Sequence, residues 1–204
     1  MRTYGKQTAY EEKSVLTGGL AVKSEDIGNF TLLARTAFAI MCFEKYVISV
    51  YPHIDYRPVA EMMWHIVDGS DYLDEAAYKY AEIIPDSLFE YDSFESLDYQ
   101  YMTKEQYVLF SNILNPQDRN LNRLMEAIYN IAMSYCYTSV SPGAPDTIPY
   151  LHEAIDVLEK HNIDLPDISL LSNHSISSGS LNAYRNFNWM GNNIDPKELS
   201  IILK

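Results

Sequence analysis

Cysteine is almost missing from this chain of 204 residues: Cys42 and Cys136 are the only two, each inside an apolar run. That usage excludes the spaced disulfide framework of small secreted domains and predicts buried, reduced thiols. Long apolar runs are missing as well. No stretch approaches the roughly 18 consecutive apolar residues of a membrane span, and the opening MRTYGKQTAYEEKSV lacks the apolar core of a secretory signal. A cytoplasmic protein is the expectation. Positive charge is scarce: 15 Lys and Arg against 28 Asp and Glu leave a net charge of −13. Such a balance repels phosphate backbones and anionic headgroups, so neither nucleic acid nor a membrane is expected as a partner.

Recognisable catalytic patterns are missing too. There is no G-x-S-x-G, no Walker glycine loop and no G-x-G-x-x-G. His152-Glu153 lacks the second histidine that a zinc-protease helix needs. No Glu-x-x-His pair of the kind that holds di-iron in helical bundles occurs; Glu61 and His65 are four apart and share a helix face, where a surface pair is the ordinary outcome. No cofactor or metal is expected.

What the sequence does contain is helical periodicity. A hydrophobic fraction of 47% and a charged fraction of 21% are those of a globular protein, and the length suits one core. From about Asp26 to Val50 the chain is apolar around most of its circumference, which predicts a central helix. Pro58 is placed like a first-turn proline for the next helix, and Gly69 like its stop. Ser70 or Asp71 is positioned to cap a third helix carrying Leu73, Ala76, Ala77, Tyr80 and Ile84.

Thr103 and Gln106 form the pattern of a capping box. From Asn120 the series Leu121, Leu124, Met125, Ile128, Ala132 predicts a second central helix. A proline-bearing turn at 141 to 146 precedes an amphipathic helix to about Lys160, and Asp195-Pro196-Lys197-Glu198 reads as the start of a short last helix. The expectation is an all-α, single-domain bundle of six or seven helices: an N-terminal arm (1–25), a helical domain (26–165) and an irregular C-terminal tail (166–204). Tyr184, Phe187, Trp189 and Met190 should dock that tail on the domain, since leaving them wet is costly.

The acidic charge is concentrated. Asp68, Asp71, Asp74, Glu75, Glu82, Asp86, Glu90, Asp92, Glu95 and Asp98 stand against the single Lys79, a local net of −9. Rings are interleaved with them at Phe89, Tyr91, Phe94, Tyr99 and Tyr101. Two readings remain open at this point: a solvated face over packed rings, or a protein interface in which rings anchor and charges steer, with Tyr91 and the ten acids as the contact residues.

The order of features, ARTAFAIMCFEKYVISVYPHI, then AEMMWHIVDGSDYLDEAAYKYAE with its Trp64-x-x-x-x-Gly69 helix end, then AIYNIAMSYCYTS and LHEAIDVLEK, resembles an all-α family of immunity proteins from bacterial polymorphic toxin systems. The resemblance covers about residues 27 to 162. It implies an inhibitor without catalysis that neutralises a cognate toxin, and a basic nuclease cleft is a natural target for an acidic inhibitor. No contact residue is carried over from the family. A helical-bundle enzyme and a structural or adaptor protein are the rival expectations.

Overall fold

The computed structural model describes residues 27–96, 98–137, 145–176 and 189–204. The arm 1–25, the rings of Tyr184 and Phe187 and the side chain of Cys136 lie outside the described residues. Helix accounts for 66% of the described residues. Among the described residues there is no strand, only an isolated antiparallel bridge between Phe30 and Ser175.

Helix α1 (Leu32–Val50) starts later than its apolar pattern does, because Asn29, Phe30 and Thr31 break the helical path and pair with 174–176. Thr31 caps it, its hydroxyl accepting from the amide of Ala34 at 3.4 Å. Fifteen of its 19 residues are buried, so water meets almost none of it. Helix α2 (Arg57–Asp68) carries Pro58 in its first turn and ends on Gly69 at φ +80°, the left-handed stop that its sequence predicts. Helix α3 (Leu73–Ala81) departs from expectation. Its N-cap is Tyr72 with no side-chain cap bond. Asp71 turns instead to Lys79, its carboxylate 2.9 Å from the ammonium.

Helix α4 (Pro85–Leu88) and a 3₁₀ turn (Phe94–Ser96) follow, then α5 (Lys104–Ile113) behind a complete Thr103–Gln106 capping box. Helix α6 (Arg119–Tyr137) is started by Asp118, whose Oδ1 accepts from the amides of Asn120 (2.9 Å) and Leu121 (3.1 Å). Helix α7 (Ile148–Lys160) and α8 (Pro196–Leu199) complete the set, the latter capped by Asp195. Among the described residues, six helices have nine residues or more.

Helices α1 and α6 form the centre. The first packs on α6, α7 and α2; the second packs on α1, α7 and α3. Their contact buries Phe38, Ile40, Leu124, Met125, Ile128 and Ile131 in one hydrophobic core.

The segment 189–203 joins that core by completing helix ends. A helix leaves its first amides and last carbonyls without partners. Here the carbonyls of Trp189 and Met190 accept from the amides of Leu32 and Leu33 at 2.9 Å, and the Ile194 amide donates to the Val67 carbonyl at 2.9 Å. Gly191 lies so close that a Cβ would meet Thr31 Oγ1 at 2.3 Å, and a Cβ on Gly69 would meet the Asn193 amide nitrogen at 2.0 Å. Trp189, Ile194 and Leu199 are buried.

Candidate partner-binding surface

The ten clustered acids divide into two sets. Asp68, Asp71, Glu75, Glu82 and Glu95 have partners within the molecule. Asp68 Oδ1 accepts from the Ser70 amide at 2.8 Å, and its other oxygen is 3.2 Å from His65 Nδ1. Asp71 and Glu75 both lie 2.9 Å from Lys79, whose own pKa they raise, Asp71 foremost. Glu82 receives the backbone: the amides of Gln100 and Met102 donate at 2.7 Å and that of Tyr101 at 3.1 Å. It fastens the 98–102 loop to the end of α3. Glu95 pairs with Lys104, which holds its carboxyl below the usual range.

Five acids remain exposed without a cation among the described residues: Asp74, Asp86, Glu90, Asp92 and Asp98. Asp74 accepts only from the amide of Glu75 next to it. The carboxylates of Asp86, Glu90, Asp92 and Asp98 make no ion pair or hydrogen bond among the described residues.

The interleaved rings also divide. Phe94, Tyr99 and Tyr107 form a cluster with centroids 5.5 to 6.0 Å apart, which ties the loop to α5. Burial, then the neighbouring Tyr107, pushes the Tyr99 phenol up to about 12. Phe89 packs against the core. Tyr91 is 49% exposed and stands among the unpaired acids Glu90 and Asp92. Tyr101, at 36%, is the other exposed ring of the interleaved set.

Three polar arrangements escaped the sequence reading. Glu44 lies fully buried in α1 and accepts from Trp64 Nε1 (2.7 Å), Ser200 Oγ (2.6 Å) and the Ile201 amide (2.7 Å). Burial raises its pKa, and the donors Ser200, Trp64 and Ile201 offset part of that rise. Arg35, also buried, donates to Thr147 Oγ1 and the Gly28 carbonyl at 2.7 Å each. Asp118 Oδ2 accepts from the hydroxyls of Tyr46 (2.8 Å) and Tyr51 (2.7 Å) while Oδ1 caps α6. An interruption of the apolar period by a charge was the signal available for Glu44 and Arg35.

A cleft of about 300 Å³ opens beside Tyr51, lined by Val47, Ile48, Ile54, Tyr56, Arg57 and Ile202 among others. Its charged members are Asp55 and Arg57, bound to each other at 2.5 Å, and the guanidinium holds Asp55 down at about 2. Glu61 and His65 are both exposed, and His65 faces Asp68. Among the described residues, no three His, Cys, Asp or Glu side chains gather as a metal-holding group, and no helix is long and apolar enough to cross a membrane.

The fold defines an all-helical, single-domain protein. No protein-family model matches the chain, and neither a curated protein nor a solved structure matches it.

Proposed function

We propose that the chain is an immunity-type inhibitor that binds a protein toxin one to one and occludes it, acting in the cytoplasm of the bacterium that makes the toxin. The observation that carries this reading is the set of carboxylates at Asp86, Glu90, Asp92 and Asp98, exposed in the segment that bears Tyr91 and without partners among the described residues. Carboxylates that hold a fold together have donors; these have none among the described residues, and all four are exposed to solvent. An acidic face with an exposed ring complements the basic cleft in which a nuclease holds phosphates, and charge of this kind steers encounter.

The test is protection of a bacterial host by co-expression with the toxin encoded next to this gene, together with stopped-flow association of the two purified proteins. Wild-type protein should protect. Replacing Asp86, Glu90, Asp92 and Asp98 with their amides should slow association by about tenfold or more at low salt and flatten its salt dependence. Wild-type association rates in that variant across salt concentrations would leave the carboxylates as a solvated face and refute the reading.

A further inference from the structure

Helix α5 turns Tyr107, Phe110 and Ile113 inward, yet its outer side is not polar. Glu105, Val108, Leu109 and Asn112 recur at i, i+3, i+4 and i+7, which places them on one face, and all four are exposed. Val108 is 52% exposed and Leu109 43%. Two adjacent aliphatic side chains on the outward stripe of an amphipathic helix work against the fold's own patterning, because water meets the apolar surface that packing elsewhere removes.

The neighbourhood of this face is acidic. Lys104, one turn before Val108, reaches Glu95 and is neutralised by it. Glu105 lies on the face itself, and the ring cluster of Phe94, Tyr99 and Tyr107 draws the loop that bears Glu90, Asp92 and Asp98 against this helix. Tyr101, two residues before the cap Thr103, is exposed at the same end.

We infer that the outer face of α5 is the dry centre of the partner interface, taking an apolar side chain that protrudes from a basic protein surface, with the unpaired carboxylates as its rim. The charge selects the occupant. A second copy of this chain would bring acids of the same sign face to face, which costs several kcal/mol, and an anionic lipid surface is repelled in the same way. A basic protein surface gains from the rim and loses nothing. In such an interface the apolar centre sets how long the complex lasts and the rim sets how fast it forms. The inference rests on the inhibitor reading for the partner's identity, and on the helix face for its chemistry.

Two synthetic peptides of equal length and equal lysine content serve as probes, one with leucines and one with serines at the remaining positions. Binding is followed by amide shifts of the isotope-labelled full-length chain. The leucine peptide should bind about tenfold more tightly or better, as expected for roughly 1.4 kcal/mol of added apolar burial. Its largest shifts should fall at Val108 and Leu109. Val108→Ser with Leu109→Ser should remove the difference between the peptides while leaving the weak serine-peptide binding unchanged. Equal affinity of the two peptides would overturn the inference, and so would leucine-specific shifts gathered at Ile48 and Ile54. Association with the neighbouring toxin separates the two claims. If the serine pair leaves its dissociation rate unchanged while the amide quadruple slows its association, the α5 centre fails and the inhibitor reading stands. If no toxin binds while the peptides discriminate as expected, the inhibitor reading fails and the α5 surface stands.

Discussion

The indole nitrogen of Trp64 donates to the carboxylate of Glu44 at 2.7 Å in the buried contact between α2 and α1. Trp64 thus packs in the core while also satisfying a charge there. Trp64→Phe removes one donor from a buried acceptor and leaves a void where the second ring of the indole packed, which together should destabilise the protein by about 2–4 kcal/mol. Chemical denaturation at neutral pH measures it, and a change below a few tenths of a kcal/mol would show that the bond is idle.

Glu44 also predicts a pH dependence. Its native pKa is raised above the ordinary 4.5, burial being the largest cause. The native state therefore holds the proton more tightly than the unfolded chain. The stabilisation is complete below about the unfolded value and is lost as pH rises through the raised native value. Relative to Glu44→Gln, which has no proton to lose, the wild type should lose stability across that window and then level off. Parallel thermal melts of the two proteins from acidic to neutral pH give the difference directly, and a wild type that gains on the variant as pH rises would reverse the assignment.

Cys42 lies fully buried in the middle of α1, and burial drives its thiol well above the usual range. The thiolate is the reactive form, so labelling of Cys42 by a thiol reagent should proceed only through opening of the domain. A Cys136→Ser background isolates the signal. Its rate should fall with added stability and rise sharply with mild denaturant, whereas prompt labelling in native buffer would place Cys42 outside the core.

Asp118 joins three elements, since one oxygen caps α6 and the other takes the hydroxyls of Tyr46 and Tyr51. Asp118→Ala removes the cap and leaves both hydroxyls seeking acceptors, at an expected cost of about 2–4 kcal/mol. Asp118→Asn keeps a capping oxygen and should recover a large part of that loss. Equal stability of the two variants would mean that the cap contributes nothing.

Tyr91→Ala tests the ring that the acids surround. If Tyr91 anchors the toxin, dissociation should accelerate by about thirtyfold, corresponding to roughly 2 kcal/mol, with the melting temperature unchanged. An unaltered dissociation rate would remove Tyr91 from the contact.

Signals confined to a few residues were legible in the sequence. Pro58, Gly69, the Thr103–Gln106 box and Asp195 each act within one helical turn, and each does what its local pattern predicts. Asp71 shows the limit, because Lys79, two turns along α3, competes for the carboxylate that a cap would have used. Glu44, Arg35 and Asp118 were invisible as a class. Their partners Ser200, Thr147 and Tyr46 lie 156, 112 and 72 residues away in the chain. For the acidic surface the sequence supplied the number of charges but not their division, since the use of Glu82 as a clasp for residues 100–102 depends on how the loop returns to α3.

The closure of Glu44 by Ser200, 156 residues later, bears on how the protein is born. Translation at about 5–20 residues per second separates the two by roughly 8 to 30 seconds. Throughout that interval the buried carboxyl of α1 lacks two of its donors, and for most of it the first amides of the helix also lack the carbonyls of Trp189 and Met190. The nascent chain can collapse around its apolar stripes, but the carboxyl of Glu44 keeps an incomplete set of donors until Ser200 and Ile201 arrive. Synthesis of Ser200 and Ile201 is therefore the step at which the carboxylate of α1 first meets its full set of donors.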